Sequence, residues 1–331
     1  MLVIHCLPDE ATLSCEPGTR ILHALQEAGV PIAHACGGGA RCSTCRVQVL
    51  AGLDACEPRN DAEQRIARML RFPDDIRLAC QTEIRGPVTM RRLVLDEQDM
   101  MLTSRIHGVR DDGQVGRELF VAVLFADIRD FTPLAEGLPA YDVVHLLNRY
   151  FATAGRAVAA HQGRIVNYMG DGFMALFGVG DADSRVAPAH ATLAALALRD
   201  AARDVSRYVG DVYGRSFAVG MGVHAGIAVV GDVGALGQRR ETAIGDTVNL
   251  ASRIEAATKE AETDILVSDQ VRAHVEHLDL VDRVEEAGHA EEAGRAGRTR
   301  GGIRFGRRLE LPMKGKTGIF TVHEVLGLAG P

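Results

Sequence analysis

Residues 121–133, VAVLFADIRDFTP, decide how the second half of this chain reads. The apolar run is too short for anything but a buried strand, and it ends on Asp127. The chain then turns through Ile128, Arg129 and Asp130 into Phe131-Thr132-Pro133, where a helical pattern begins. A carboxylate at a strand end facing a helix N-terminus suits a metal-bound triphosphate. The carboxylate holds the cation, while free backbone N–H groups and the helix dipole receive the phosphates. Alone, this pattern reads equally well as a helix cap. A second carboxylate, Asp171 in RIVNYMGDGFMALF (164–177), strengthens the metal reading. Gly170-Asp171-Gly172 lies between two strand-like runs, as a tight hairpin requires. Two aspartates on adjacent strand ends can jointly hold a pair of divalent ions.

Four segments follow one another in order: FADIRDFT (125–132), NYMGDGFMALF (167–177), GDTVNLASRIE (245–255) and PMKGKTG (312–318). Together they resemble the catalytic domain of class III nucleotidyl cyclases over about residues 117–328. The resemblance implies in-line attack of a ribose 3′-hydroxyl on its own α-phosphate, with pyrophosphate expelled. Two ions, Mg²⁺ or Mn²⁺, serve the hydroxyl and the triphosphate. It also implies that Asp127 and Asp171 bridge both ions, with the Ile128 carbonyl as a further ligand. The Phe131 and Thr132 backbone and the Thr132 hydroxyl would cradle the terminal phosphates. Asn249 and Arg253, four apart, project from one helix face; the implied roles are ribose orientation and stabilisation of the pentavalent phosphorus. Lys314 would contact the β- and γ-phosphates, with Lys316 a neighbouring surface charge. Such cyclases take the carboxylates from one subunit and Asn, Arg and Lys from the other, so a homodimer with two equivalent sites is expected.

The chain departs from that pattern in two places. The purine-reading positions hold Asn167 and Thr242, not the guanylate-type pair, which favours ATP with GTP as the alternative. Asp130 replaces the glycine usual in the phosphate loop; Asp tolerates left-handed backbone, but its charge would lie near the phosphates.

The N-terminal third begins with two short strands, and Thr19 is expected to cap a helix over 20–28 that Gly29 ends. HACGGGARCSTCRVQVL (34–50) then spaces Cys36, Cys42 and Cys45 as C-x5-C-x2-C. Cys80 follows a helical pattern near 62–71. Four thiolates are what an iron–sulfur cluster needs, and Gly37-Gly38-Gly39 lets backbone wrap closely around sulfide. The alternatives are zinc, which usually takes two paired motifs, and disulfides, which a cytoplasmic setting disfavours. The segment resembles a [2Fe–2S] ferredoxin domain with the five-residue first gap of adrenodoxin-like members. Cys6, Cys15 and Cys56 lie outside the pattern and read as small core residues.

Across 331 residues the net charge is −7 and 47% of residues are apolar, so a buried core is available and a nucleic-acid partner is disfavoured. No window is apolar for long enough to span a membrane; residues 217–231 read as a buried hairpin. The N-terminus lacks a basic leader, and a cytoplasmic location is expected. Residues 1–92 are assigned to a β-grasp-type ferredoxin domain, 93–117 to a linker and 118–331 to the cyclase domain. Residues 283–304 read as a flexible, low-complexity insertion. The second domain's element order implies a ferredoxin-like α/β fold with a mixed, mostly antiparallel sheet, making the chain α+β overall. A helix over 141–161 is expected to pack Val144, Leu147, Tyr150 and Phe151. The reading that results is a redox-linked cyclase converting ATP to 3′,5′-cyclic AMP and pyrophosphate, with an electron-donating reductase as partner. The alternative from another class is a [2Fe–2S] carrier or sensor whose cyclase fold only dimerises or binds nucleotide.

Overall fold

Alternation writes the first strand: in β1 (Leu2–Leu7), Ile4 and Cys6 are fully buried while His5 between them is exposed. The computed structural model describes residues 1–93, 116–180, 184–234, 238–276, 302–312 and 318–328. They divide into two compact units, Met1–Arg117 and Glu118–Pro331.

In the first unit, β1 pairs antiparallel with β2 (Ala11–Cys15) and parallel with β5 (Val88–Arg92). Strand β3 (Arg46–Ala51) pairs antiparallel with β5 and with β4 (Ile76–Leu78), giving the order β2-β1-β5-β3-β4. Helix α1 (Ile21–Glu27) buries Ile21, Leu22 and Leu25 in the same core as Ile4 and Val47, a β-grasp arrangement. The expected Thr19 cap is not made. The cap position is Arg20, which makes no side-chain cap bond. The Thr19 carbonyl accepts instead from Ile84 N–H, so backbone pairing fixes the entry to the helix. Helix α2 (Asp61–Leu70) is capped by Asn60, whose side chain accepts from Glu63 N–H at 2.9 Å. Buried Glu63 takes both arms of Arg77 at 2.9 Å and also Leu78 N–H at 2.8 Å, which pins β4 to α2 just ahead of Cys80.

The second unit is built around β6 (Arg117–Ile128), buried on both faces. Ala122, Leu124 and Ala126 face a core shared with helices α4 (Ala140–Ala160) and α5 (Ala187–Tyr213), while Val121 and Val123 face a second core containing Val230 and Ala251. The sheet order is β12-β13-β11-β9-β6-β8-β7, with β10 (Arg240–Ile244) paired to β9 (Val219–Val233). Its members are β7 (Arg164–Met169), β8 (Gly172–Phe177), β11 (Ile265–Ser268), β12 (Ile303–Pro312) and β13 (Ile319–Leu328). Strand β11 runs parallel to β9, and the pairs β6/β8, β7/β8, β9/β10, β11/β13 and β12/β13 are antiparallel. Three more helices complete the unit: α3 (Phe131–Glu136), α6 (Asp246–Glu260) and α7 (Asp269–Glu276).

Several expectations need correcting. Residues 217–231 form no hairpin; one long strand, β9, runs through them. Its glycines serve close packing rather than a turn. An added Cβ at Gly222 would lie 2.1 Å from Glu255 N, and one at Gly226 would lie 2.7 Å from Thr247 Oγ1, so both let α6 lie directly on the strand. On α4 the buried stripe is Leu146, Tyr150, Ala154, Ala157 and Val158, with Leu147 and Phe151 half-buried and Val144 exposed. Ile303 and Arg304, assigned to the insertion, begin β12. The rest of that insertion to residue 301 and most of the linker, residues 94–115, lie outside the described residues.

Two glycine substitutions separate close packing from propensity. Gly222→Ala should cost at least about 1–3 kcal/mol by overpacking against backbone. Gly155→Ala, on α4 with open space around it, should be neutral or stabilise by up to about 1 kcal/mol. Urea unfolding followed by tyrosine fluorescence reads this unit selectively, because all five tyrosines lie between residues 141 and 213 and the chain has no Trp. Equal midpoints for the two variants would contradict the packing account.

Candidate functional site

Asp127 is the penultimate residue of β6, and Asp171 sits in the two-residue turn Gly170-Asp171 joining β7 to β8. Because Ala126 pairs with Phe173, the strand register sets Asp127 beside Gly172. An added Cβ at Gly172 would lie 2.8 Å from Asp127 Oδ1 and 2.9 Å from the Ala126 carbonyl, so only glycine leaves room for the carboxylate. Gly170, at φ +65°, supplies the left-handed turn. Burial raises the Asp127 carboxyl to about 6, and the negative charge of Asp171 and a hydrogen bond with it add to the shift. Among the described residues, no cation contributes to this shift. Two carboxylates crowded together at a strand end and a turn form a candidate divalent-ion site.

A third acid belongs to this neighbourhood. Burial lifts Glu255 on α6 to about 7; Asp127 and Asp171 raise it further, while Arg129 opposes them. Beneath these acids lies Tyr150, whose buried hydroxyl has no hydrogen-bond partner and whose phenol is pushed up by burial and by the charges of Asp127, Asp171 and Glu255. Sequence reading used Tyr150 only as a packing residue and passed over Glu255. The available signal was an acid two residues past Arg253, in a helix that the β9 glycines draw onto the sheet.

The turn after Asp127 is fastened to α6. Arg129 N–H donates to the Ala218 carbonyl at 2.9 Å, and its guanidinium donates to the carbonyls of Thr258 (3.2 Å) and Thr263. Asp130 takes the left-handed conformation at φ +50°, as expected for an Asp in a glycine position. Its carboxylate is held 2.8 Å from Lys259, which keeps it below the usual carboxylate range. Phe131 and Thr132 open α3, with Phe131 half-buried and Thr132 exposed. On α6, Asn249 is exposed, and Arg253 one turn on is half-buried, with Nη1 enclosed and without a hydrogen-bond partner. Asn167 lies at a register shift in β7, and Thr242 of β10 pairs with Gly231 of β9; the Arg164–Glu241 ion pair links β7 to β10. Lys314 and Lys316 lie outside the described residues.

In the first unit the four thiols form two pairs. Cys36 is lowered by a hydrogen bond from Cys42, against burial and with further donation from the backbone of Arg41, Gly39 and Cys42; Cys42 is raised in turn. Cys80 is lowered by a hydrogen bond from Cys45, against burial and with help from the Gln81 side chain and Ala40 backbone, while Cys45 is raised. Gly37 and Gly38, at φ +67° and +85°, turn the loop, and an added Cβ at Gly38 would lie 3.8 Å from Cys80 Cβ. Among the described residues, no three His, Cys, Asp or Glu side chains converge on one metal position. Paired thiols beneath backbone donors fit a binuclear cluster, with two thiolates to each iron, better than four ligands on one zinc. Cys6, Cys15 and Cys56 are buried core residues, as expected.

Comparison with known proteins identifies the family of each unit. A family model for the adenylate and guanylate cyclase catalytic domain covers residues 115–321, and one for the 2Fe-2S iron-sulfur cluster binding domain covers residues 4–85. The chain therefore belongs to the adenylate and guanylate cyclase catalytic domain family, with an N-terminal 2Fe-2S domain fused to it. Adenylate cyclase 1 of Rhizobium meliloti (strain 1021) is 38% identical over 179 residues, 53% of this chain and 26% of that protein. An adenylate cyclase of Anabaena cylindrica is 36% identical over 152 residues, 46% of this chain and 30% of that protein. The chain thus spans less than a third of the length of either relative. Among solved structures, the guanylyl cyclase Cya2 superposes with TM-score 0.52 at 26% identity, covering 66% of this chain and 97% of that one. Among the described residues no helix is long and apolar enough to cross a membrane.

The acid cluster gives the metal-free protein a defined pH response. Asp127 and Glu255 have folded values of about 6 and about 7, above their ordinary 3.8 and 4.5. Their contribution to stability is full below pH ~4 and is lost as pH rises through 6 to 7. Tm of the metal-free protein should therefore fall between pH 5 and 8. Mn²⁺ should restore more at pH 8 than at pH 5.5, and Asp171→Asn should flatten the fall and abolish the Mn²⁺ response. An Asp171→Asn profile identical to the wild type would remove the carboxylate pair as its cause.

Proposed function

We propose that the chain is a redox-linked, cytoplasmic adenylate cyclase that converts ATP to 3′,5′-cyclic AMP and pyrophosphate at a homodimer interface. The observation that carries the reading is the convergence of Asp127 and Asp171, which strand pairing sets at the adjoining ends of β6 and the β7–β8 turn. In this reading Asp127, Asp171 and the Ile128 carbonyl hold two Mg²⁺ or Mn²⁺ ions. The ions would supply charge for the 3′-hydroxyl and the triphosphate. Phe131 and Thr132 donate backbone N–H groups, and Thr132 its hydroxyl, to the terminal phosphates. Asn249 orients the ribose, Arg253 meets the charge that develops on phosphorus, and Lys314 contacts the β- and γ-phosphates. Asn167 and Thr242 read the purine edge. Lys259 keeps Asp130 from repelling the triphosphate.

A second chain is part of this reading, because the resemblance implies that Asn249, Arg253 and Lys314 serve the carboxylates of a partner. Its support is a group of exposed apolar residues among the described residues: Ile227, Val229 and Val233, at alternating positions on β9, and Ile244 on β10. Val229 and Ile244 stand directly opposite one another in the ladder. Exposed apolar residues grouped in this way mark an association surface. In the first unit, Cys36 and Cys42 would bind one iron of a [2Fe–2S] cluster and Cys45 and Cys80 the other, with a reductase supplying electrons. The fusion itself is the support for redox control of the cyclase.

Turnover of ATP and GTP should be measured side by side with Mn²⁺ or Mg²⁺ on anaerobic protein, before and after dithionite. Asp127→Ala is the blank. Cyclic AMP formation that changes several-fold on reduction is expected. Preference for GTP would overturn the purine reading, equal rates in both redox states would overturn the redox linkage, and no product at all would leave a carrier or sensor module. Asp171→Asn and Arg253→Ala should each be inactive. Mixed, they should recover about a quarter of wild-type activity, because half the dimers then carry one intact site of two. No recovery would exclude sites shared between subunits.

A further inference from the structure

Gln81, next to the cysteine at the end of the ferredoxin pattern, is used by none of the roles above, yet its side chain is committed at both ends. Its Nε2 donates to the Gly38 carbonyl at 2.8 Å and to Cys80 Sγ at 3.5 Å. Its Oε1 accepts from Asn60 Nδ2 at 3.0 Å. Asn60 in turn caps α2, its Oδ1 accepting from Glu63 N–H at 2.9 Å. An amide has two hydrogens and two lone pairs, and three of the four positions are thus taken. An unbroken hydrogen-bonded chain runs from the Cys80 sulfur through Gln81 and Asn60 to the first turn of α2.

We propose that Gln81 is a positioning residue of the cluster site that both stabilises the reduced state and reports the charge on Cys80 to the N-terminus of α2. The inference rests on the cluster being held by Cys80, not on the cyclase reaction. One-electron reduction, by a flavin or dithionite-class donor, adds negative charge that the cysteine sulfurs share. Cys80 Sγ then becomes a stronger acceptor, and the Gln81 N–H···S bond, now more fully charge-assisted, tightens. Gly38 holds the other hydrogen of the same amide, so Gln81 can shift only by dragging its Oε1, and hence Asn60. Hydrogen bonds in series polarise one another, so the change is felt at the cap. Leu78 N–H and Arg77 are already fixed to Glu63, so the base of α2 has no other slack to absorb the movement. No proton need move and no bond breaks.

The test is an anaerobic, dye-equilibrated redox titration of the full chain followed by visible absorption. Amide hydrogen exchange at residues 60–64 is compared in the oxidised and dithionite-reduced protein. Gln81→Leu should shift the midpoint to more negative potential, lowering the reduced-to-oxidised ratio about tenfold at the wild-type midpoint, about 59 mV for one electron. Asn60→Ser, which retains a capping hydroxyl, should give a smaller shift of the same sign. The wild type should show redox-dependent exchange at residues 60–64, and both variants should lose it. A purely structural role would lower Tm while leaving the potential in place, and that result overturns the proposal. So does identical exchange at residues 60–64 in both redox states of the wild type. If Gln81→Leu takes up no iron, Asn60→Ser decides alone, its unshifted potential and retained exchange difference counting against the proposal. A wild type without iron or visible absorption would instead overturn the cluster reading itself.

Discussion

Repulsion between Asp127 and Asp171 is the constraint around which the second unit is arranged. Nothing local favours two carboxylates at the mouth of a buried sheet. They are brought together because β6 is buried on both faces and pairs with β8 in a register that leaves no alternative position. Apolar burial on this scale, about 25 cal/mol per Å², easily outweighs the few kcal/mol of charge crowding. The fold thus stores an unfavourable arrangement that a divalent cation would relieve. Glu255 and Tyr150 deepen it, adding a third acid and a low-dielectric floor.

The two candidate metal sites solve opposite electrostatic problems. At the cysteines, backbone donors from Gly39, Ala40, Arg41, Cys42 and Thr44 converge on sulfur, holding Cys36 and Cys80 toward the thiolate while Cys42 and Cys45 keep their protons. At the aspartates only the Ile128 backbone supports the anionic form of Asp127, and burial with the neighbouring charge of Asp171 raises its carboxyl. A glycine-rich loop makes the first site possible by exposing its own N–H groups. Strand pairing makes the second by keeping its N–H groups in the ladder. In the proposed reading iron would bind with peptide dipoles in attendance, and divalent ions where such dipoles are nearly absent.

Much of this was legible in the residues because the decisive groups are clustered in sequence. FADIRDFT, GDG and CSTC each carry their chemistry within a few positions, and the element order around them gave the α+β architecture. The misreadings arose where a residue's role depends on a distant element. The glycines of β9 looked like turn formers because nothing in their own stretch says that α6 lies 2.1 Å from where a Cβ would be. Thr19 looked like a cap because the strand-like backbone partner, Ile84, is 65 residues away (84 − 19). Glu255 was invisible for the same reason: an acid on an amphipathic helix reads as solvated until the helix is set against Asp127. Gln81 likewise gains meaning only from Gly38 and Asn60.

The fastening of the turn after Asp127 to the end of α6 has a further consequence. Arg129 and the Asp130–Lys259 pair tie that turn and the end of the helix into one mechanical body. In the proposed dimer the turn serves one catalytic centre, while Asn249 and Arg253 on the same helix serve the other. Occupancy of one centre then biases the geometry of its twin through a rigid lever inside a single chain. The coupling free energy between the centres would be set largely by how firmly Arg129 grips the Thr258 and Thr263 carbonyls, and its sign by whether the closed turn swings Arg253 toward or away from the neighbouring phosphates.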